Sequence, residues 1–577
     1  MQIGEAVAVS ILAASGSVAA TPQYRLHLDA RRRGSVDPDW RGLAVWRWGR
    51  AGRGAIVLCN NDDDDTASAT DNADASINGG NDSQETAMLV FRRTGPAPPG
   101  SWAGFLEVSA ANARRIRIFD SRAAGGAEIL GPTAGARHRF LDLAFTEREY
   151  SMEAIRYAGS GFNGLVRLTF SIEDGGSVIF SQAATLRVAP WIMPNHLDPA
   201  EKVFVVNAGS DNSRFRAELS PLVGAAGCSL VQHASGDVWM QDCMEIGLAA
   251  RPDGASPKAM PAVVRAKRNR PLRTFPRTLL APDFGYEEVA PLSNATTFDS
   301  TGNLEVTPPI LSGTRRRYPW GRIYYGRPGP SITRPGEDFD AVTRAFLRAQ
   351  RVQAPFEIDT GWLTVGHVDE VVSFVPAPGG RRFKLLIASP RRAYAILRAA
   401  RRTNGTARLL TGRGFPDGAG GSHSAEVTIT DFLTRGIPAL GLTATTLRSF
   451  NNRVARHLNR IKQVFRREIR ATADEIVEVP ILYFPNEDEP VFADALTAGI
   501  VNMLVINRHC IAPKPFGPVV AGRDLFEQDL RTRLAGLGLT ITFINDWYEY
   551  HVLLGEVHCG TNTLRRPTRP PKWWTFV

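Results

Sequence analysis

The sequence predicts a two-part chain: an all-β region of immunoglobulin-like sandwich type, followed by one large α/β domain. Three observations carry that reading. The first third holds many short apolar runs separated by Gly, Asp and Asn. Beyond Val188-Ala-Pro-Trp191, strand-like runs alternate with helical periodicities to the end of the chain. The length, 577 residues, fits two to four domains at about 150 residues each.

Within the first part, Val166, Leu168, Phe170 and Ile172 alternate with Arg167, Thr169 and Ser171, the pattern of a half-buried strand. Short apolar runs recur at 55–58, 88–91, 116–119 and 178–180, and turn residues punctuate them. Between two of these runs stands Asn60-Asn61-Asp62-Asp63-Asp64-Asp65, followed by Asp71, Asp74 and Asp82. In the second part, strand-like runs at 203–206, 385–387 and 503–506 are interleaved with two expected helices. One covers about 338–350. The other covers about 447–469, with Phe450, Val454, Leu458, Ile461 and Phe465 on one face and many Arg on the solvated one. Gly- and Pro-rich stretches at 326–336 and 412–421 are expected to be surface loops. The boundaries follow: an N-terminal segment at 1–21, signal or disordered, a sandwich at 22–191 and an α/β domain at 192–577.

Composition narrows the function classes. Hydrophobic residues at 43% and charged residues at 22% exclude wholesale disorder. The net charge is +10, but only 7 of the 68 basic residues are Lys and the Arg are spread along the chain. No nucleic-acid partner is expected from such a spread. No run of about 18 apolar residues exists, so no membrane partner is expected. The five cysteines are an odd number, widely spaced and without a CxxC, which argues against a disulfide scaffold or a zinc cluster. A reduced, cytoplasmic setting suits them. The apolar stretch 6–20 lacks the Lys or Arg that precede a signal core, and secretion stays open as the alternative.

Four segments cluster reactive residue types: Gly236 to Gly247, Phe298 to Glu305, Gly366 to Glu370, and Gly555 to Asn562. Together they offer Cys, His and two Asp. A thiolate is a strong nucleophile, and an adjacent imidazolium lowers its pKa and can serve as a general acid. Two carboxylates suit the forked donors of a guanidinium. They would oppose the oxyanion that amide hydrolysis builds. The set therefore favours attack on a guanidinium carbon. Taken singly, each residue also has a plain structural use. Cys559 could be a buried small side chain, and Asp242 and Glu245 could cap a turn. His367 and Asp369, on one face of an expected strand, could be an ordinary hydrogen-bonded pair.

The same segments resemble the protein-arginine deiminases. The resemblance rests on Trp239-Met-Gln-Asp-Cys-Met-Glu-Ile-Gly247, Val365-Gly-His-Val-Asp-Glu370, Ala281-Pro-Asp-Phe-Gly-Tyr286, Gly302-Asn-Leu-Glu-Val306, Pro513-Lys-Pro-Phe-Gly-Pro518 and Gly555-Glu-Val-His-Cys-Gly-Thr-Asn562. It runs from about Leu26 to the C-terminus. It implies a five-bladed α/β propeller (pentein) catalytic domain behind one immunoglobulin-like domain, and calcium-dependent hydrolysis of protein-bound arginine to citrulline and ammonia. The alternatives are a deiminase or amidinotransferase acting on free arginine or another small guanidine, and an inactive calcium-binding protein.

Carried over by position, the resemblance implies Cys559 as nucleophile, His367 as general acid/base, and Asp242 and Asp369 as the guanidinium clamp. Trp239 and Val365 wall the slot, and Arg270 grips the substrate backbone. Calcium falls to two sets. Beside the pocket stand Gln241, Glu245 and Glu305 with the carbonyls of Thr301 and Leu304. In the Asp-rich loop stand Asn61, Asp63 and Asp65, joined by Asp283. A second pocket-side calcium site is expected to be absent or weak, because Cys243 and Lys267 stand where the family uses acids. Arginine-containing proteins or peptides are the implied substrates, and a homodimer is compatible with the family.

Overall fold

The computed structural model describes residues 21–577 except 66–68, 79–80, 312–316, 331, 381, 417–420, 568–570 and 577. Of the expected N-terminal segment 1–21, all but Thr21 lies outside the described residues.

Two five-stranded sheets form the N-terminal part. One runs in the order Gln23–His27, Ala87–Thr94, Glu147–Ala154, Ile116–Phe119, Glu128–Leu130. The other runs Ile56–Val57, Ser177–Val188, Leu165–Asp174, Trp102–Glu107, Arg137–Phe140. The alternation read in the sequence sets their faces: Val166, Leu168, Phe170 and Ile172 all point into the core between the sheets. There Phe91, Phe140, Tyr150 and Phe170 meet edge-to-face, with centroids 4.9–5.7 Å apart for the pairs around Phe91 and Phe140. That is the favoured aromatic geometry.

The remainder contains five three-stranded sheets built to one plan. In each, the central strand is antiparallel to one neighbour and parallel to the other. The central strands are Ala200–Asn207, Lys258–Arg265, Ile323–Arg327, Phe383–Ser389 and His509–Pro513. Their antiparallel partners are Thr561–Arg565, Met244–Arg251, Leu304–Val306, Val372–Pro376 and Leu504–Ile506, respectively. Their parallel partners are Ser229–Ala234, Gly285–Glu288, Phe356–Asp359, Ile476–Pro480 and Thr540–Ile544. The first sheet is completed by the chain's last strand, so the two ends of this region are tied together.

Both expected helices form. Ala341–Gln350 starts later than expected, because Asp340 is its N-cap and accepts from the Thr343 amide, while Asp338 is held by Arg327. Ala444–Glu468 buries Leu447, Phe450, Val454, Leu458, Ile461 and Phe465 and leaves Arg448, Arg456, Arg460, Arg466 and Arg467 in solvent. Two loop expectations change. Gly326 and Arg327 end a strand, and the 412–421 stretch contains Gly414–Pro416, which pairs with Ser422–Ser424.

The two parts share one core. Trp191 donates from Nε1 to the Ala262 carbonyl at 2.9 Å, and Trp573 from Nε1 to Ala250 at 2.7 Å. Gly247 permits the first contact, since a Cβ there would lie 2.2 Å from the Trp191 ring. Among the described residues, no helix is long and apolar enough to cross a membrane.

Candidate active site

The five-sheet plan gathers the reactive segments. In every sheet, the turn leading into the antiparallel outer strand carries a residue of the site. Asp242, Gly302, Asn502 and Cys559 each stand two positions before such a strand, and Asp369 stands three before Val372. Residues far apart in sequence thus meet at one end of five equivalent strands.

Cys559 is buried. Its Sγ accepts from Asn502 Nδ2 at 3.1 Å and donates to Asp369 Oδ2 at 3.4 Å. Asn502 Oδ1 accepts from the amides of His558 and Cys559 at 3.1 and 3.2 Å, which leaves its NH2 for the sulfur. His367 and Asp369 do not lie on a strand, as alternation suggested. They sit in a turn, where Gly366 takes φ +88° and Glu370 Oε1 accepts from the His367 amide at 2.7 Å. The turn still brings His367 to the pocket wall and the Asp369 carboxylate to the Cys559 sulfur. His367 Nε2 donates to the Thr297 carbonyl at 2.8 Å, so Nδ1 is the nitrogen left to the pocket, 3.6 Å from Asp242 Oδ1.

Gly302 fixes the floor. A Cβ there would stand 2.7 Å from His367 Nδ1, 2.9 Å from Asp242 Oδ1 and 3.3 Å from Asp369 Oδ2. Gly302→Ala should therefore keep the fold but lower turnover about 100-fold, the usual cost of displacing reacting groups by about an ångström. Steady-state kinetics beside circular dichroism checks this, and parent-like kcat would contradict the convergence.

The pocket has a volume of about 350 Å³ and is lined by Trp239, Asp242, Arg268, Arg270, Val365, His367 and Cys559, among others. Asp242 Oδ1 and Asp369 Oδ1 are buried without a hydrogen-bond partner. Buried acceptors are normally satisfied, so this pair awaits a donor. Burial raises the Asp242 pKa, against the pull of His367 and Arg268. Burial also pushes the Cys559 thiol well above its usual range, and the charges of Asp369 and Asp242 push it further. No contact that would lower it joins His367 to Cys559 among the described hydrogen bonds and ion pairs.

Several contributors escaped the sequence reading. Arg268, two residues before the expected Arg270, is buried between Asp237 and Asp242, with NH2 3.2 Å from Asp237 Oδ1 and Nε 3.5 Å from Asp242 Oδ2. Arg270 is half exposed at the rim and 3.2 Å from Asp237. His558 lies within a segment already singled out and Asn502 immediately precedes the strand-like run at 503–506, and only their side-chain roles went unread.

The combination of a thiol, an imidazole and two carboxylates missing donors agrees with the comparisons to known proteins. The family model "Protein-arginine deiminase (PAD)" matches residues 178–575, and the "Protein-arginine deiminase (PAD) middle domain" model matches 24–174. The chain belongs to the protein-arginine deiminase family. It is 33% identical to human protein-arginine deiminase type-4 over 578 residues, 96% of this chain and 83% of that one. It is 35% identical to mouse type-3 over 552 residues, 92% of this chain and 79% of that one. Among solved structures, an agmatine deiminase of Enterococcus faecalis aligns with 65% of this chain and 96% of its own, at 12% identity and a TM-score of 0.35.

A deiminase of this family is expected to hold calcium, and the residues can be tested for it. Glu245 and Glu305 are both buried. Burial and mutual repulsion hold Glu245 well above the usual carboxylate range, and burial raises Glu305 to about 7. Gln241 Nε2 donates to Glu245 at 3.1 Å, and Thr301 Oγ1 ties the Gln241 and Met244 carbonyls at 2.6 and 2.8 Å. With the Leu304 carbonyl nearby in sequence, the set is oxygen-only and rich in charge, as a hard dication requires.

The Asp-rich loop also fits, in a different register. The converging group is Asp62, Asp64 and Asp71, not the expected Asn61, Asp63 and Asp65. Oxygens of Asn60, Asn61, Asp62, Asp63 and Asp64 are all buried without partners. The Asn61 side-chain amide donates to the Tyr286 carbonyl at 3.0 Å, while its Oδ1 has no partner. Asp65 accepts from Asn78 at 2.9 Å, and the charge of Asp65 helps raise the Asp63 pKa. Asp283 reaches the group through its backbone amide, 2.9 Å from Asp62 Oδ2, while its carboxylate lies 3.5 Å from Lys258. At the second pocket-side position, Cys243 Sγ donates to the Met240 carbonyl at 3.3 Å, and Lys267 Nζ pairs with Asp340 at 3.0 Å. Neither offers calcium a hard oxygen.

Proposed function

We propose that this chain converts protein-bound arginine to citrulline and ammonia by covalent catalysis at Cys559. The observation that carries the reading is the pair of unpartnered carboxylate oxygens beside the Cys559 sulfur, one on Asp242 in the pocket wall and one on Asp369, whose other oxygen lies 3.4 Å from that sulfur. A guanidinium is planar, cationic and rich in donors, so it would satisfy both acids and neutralise the charge that keeps the thiol protonated.

In this reading, the arginine stem lies between Trp239 and Val365, and its guanidinium donates to Asp242 and Asp369. The Cys559 proton is taken up by His367 Nδ1, and the sulfur bonds to the guanidinium carbon. His367, through Nδ1, protonates one terminal nitrogen, the C–N bond breaks and ammonia leaves. The amidino-thioether that remains is attacked by water, which loses a proton to His367. The C–S bond breaks, giving the urea of citrulline and the free thiol. Arg270, at the rim, would contact the substrate backbone and favour peptides over free arginine.

Calcium belongs to the same reading. Gln241, Glu245, Glu305 and the Thr301 and Leu304 carbonyls would hold one ion, and Asp62, Asp64 and Asp71 with Asn60 would hold ions in the sandwich. When bound, calcium supplies positive charge that lets these buried acids ionise and fixes the turns carrying Asp242 and Gly302. Asp64→Asn should shrink the rise in Tm that calcium produces on binding the folded chain, whereas Asp65→Asn should leave it nearly intact. The reverse order would restore the expected register.

The five like sheets support a five-bladed propeller, with the strand at 561–565 closing its first blade. The paired five-stranded sheets support an immunoglobulin-like module over 22–191. A cytoplasmic setting, where thiols stay reduced, suits five unpaired cysteines. A homodimer without nucleic-acid or membrane partners completes the reading. The test is citrulline formation on a blocked arginine peptide and on free arginine, with and without calcium. The expected result is calcium-dependent turnover of the blocked substrate. Preferential turnover of free arginine would overturn the substrate reading.

A further inference from the structure

Two imidazoles face one carboxylate beside the nucleophile's turn. His196 Nε2 lies 3.5 Å from Glu305 Oε2, and His558 Nε2 lies 3.3 Å from Glu305 Oε1. One ligand-type atom from each residue falls within 4.8 Å of the other two. The rings stand 5.9 Å apart, and all three side chains are about nine-tenths buried or more.

The opposite ring nitrogens are already engaged. His196 Nδ1 is 3.2 Å from the Phe374 carbonyl, and His558 Nδ1 is 2.9 Å from Asp369 Oδ2. A carbonyl or an ionised carboxylate can only accept, so both rings carry a proton at Nδ1. In its neutral form each imidazole turns the lone pair of Nε2 toward a carboxylate oxygen, although Asp369 and Glu305 favour the protonated form of His558 against its burial. Lone pairs opposed at 3.3–3.5 Å repel unless a proton or a cation lies between them.

Three further points favour a metal ion. Metal-bound histidines typically donate their far N–H to a carbonyl or carboxylate, and one of each is present here. Two imidazoles with one carboxylate form a familiar ligand set for zinc. Zinc–ligand bonds of about 2.0–2.1 Å in a tetrahedron put ligand atoms roughly 3.3 Å apart, close to the two histidine–carboxylate separations, while the ligand atoms of the two histidines lie within 4.8 Å of each other. Buried Arg565 adds opposing charge nearby, but its NH1 is spent on the Asp198 carbonyl at 3.2 Å, and Glu245, Glu305 and Asp369 outnumber it.

We propose that His196, His558 and Glu305 bind a transition-metal dication of the zinc class, at a site that shares only Glu305 with the oxygen-only calcium set. Three protein ligands leave a fourth position for water. Zinc that draws on Glu305 withdraws that charge from the calcium set, so zinc opposes activation by calcium. This second part rests on the calcium reading above, and the binding site itself does not.

Equilibrium dialysis of the metal-free, full-length chain against Zn2+ alone tests the site. The parent is expected to hold one more equivalent than His196→Asn, which should deiminate like the parent when zinc is absent. Co2+ added to the parent gives a reading that needs no variant: visible d–d bands without a thiolate charge-transfer band. Equal zinc binding by parent and variant, or a thiolate band marking ligation by Cys559, would overturn the site. In activity assays, added calcium should relieve zinc inhibition, and His196→Asn should need at least tenfold more zinc for half-inhibition. Zinc binding that persists while calcium gives no relief would overturn the shared use of Glu305 and leave the site standing.

Discussion

Replacing Cys559 with alanine should abolish citrulline formation, lowering kcat by about 10⁴-fold or more, while circular dichroism and Tm stay near the parent's. The side chain is small and its only described polar partners are Asn502 and Asp369, so the fold loses little. The reaction loses the atom that bonds to carbon. A second readout comes from the same sulfur. Burial and two acidic neighbours hold the thiol protonated, so stability and reactivity are linked to pH with a fixed sign. In the chelator-treated, substrate-free chain, alkylation of Cys559 by a neutral reagent should still be rising at pH 9. A plateau near pH 7 would mean that the thiolate forms unaided, against the electrostatics of the site. A guanidinium between Asp242 and Asp369 removes the opposing charge, so turnover should reach its maximum at lower pH than alkylation does.

Asp242→Asn is the second large effect. Neutralising one member of a buried, hydrogen-bonded charge pair costs about 2–5 kcal/mol, or roughly 30- to 5000-fold in kcat/KM at 1.36 kcal/mol per decade. The fold should survive, because Arg268 keeps its contacts with Asp237. The burial that raises the Asp242 pKa also disfavours its ionised form when no cation is near. Binding of the substrate cation and ionisation of Asp242 are thus coupled, and the variant should lose most in binding a cationic substrate. Parent-like kcat/KM on an arginine peptide would remove Asp242 from the clamp.

The segments carrying these residues were legible in the sequence because the chemistry is concentrated in short stretches. Asp242, His367, Asp369 and Cys559 stand in three of them, and the structure places Asp242, His367 and Cys559 on one pocket, with Asp369 against the Cys559 sulfur. What sequence could not settle depended on contacts between distant residues. Asn60-Asn61-Asp62-Asp63-Asp64-Asp65 contains the N-x-D-x-D spacing twice, in two registers. The clustering of Asp62 and Asp64 with Asp71 favours one register, and it depends on a fold that no local spacing displays. The strand expected at His367 gives way to a turn because Glu370 caps it and Gly366 takes a positive φ. His196 is isolated in sequence, and nothing local marks it. It matters only because the strand beginning at Leu304 and the turn before Thr561 end beside it.

Acid-quenched mass spectrometry of the chain during turnover of an arginine peptide bears most directly on the mechanism. A mass increase equal to the substrate less ammonia should appear on the peptide containing Cys559 and vanish in Cys559→Ala. Turnover with no adduct at that residue under single-turnover conditions, or an adduct on another side chain, would contradict the account.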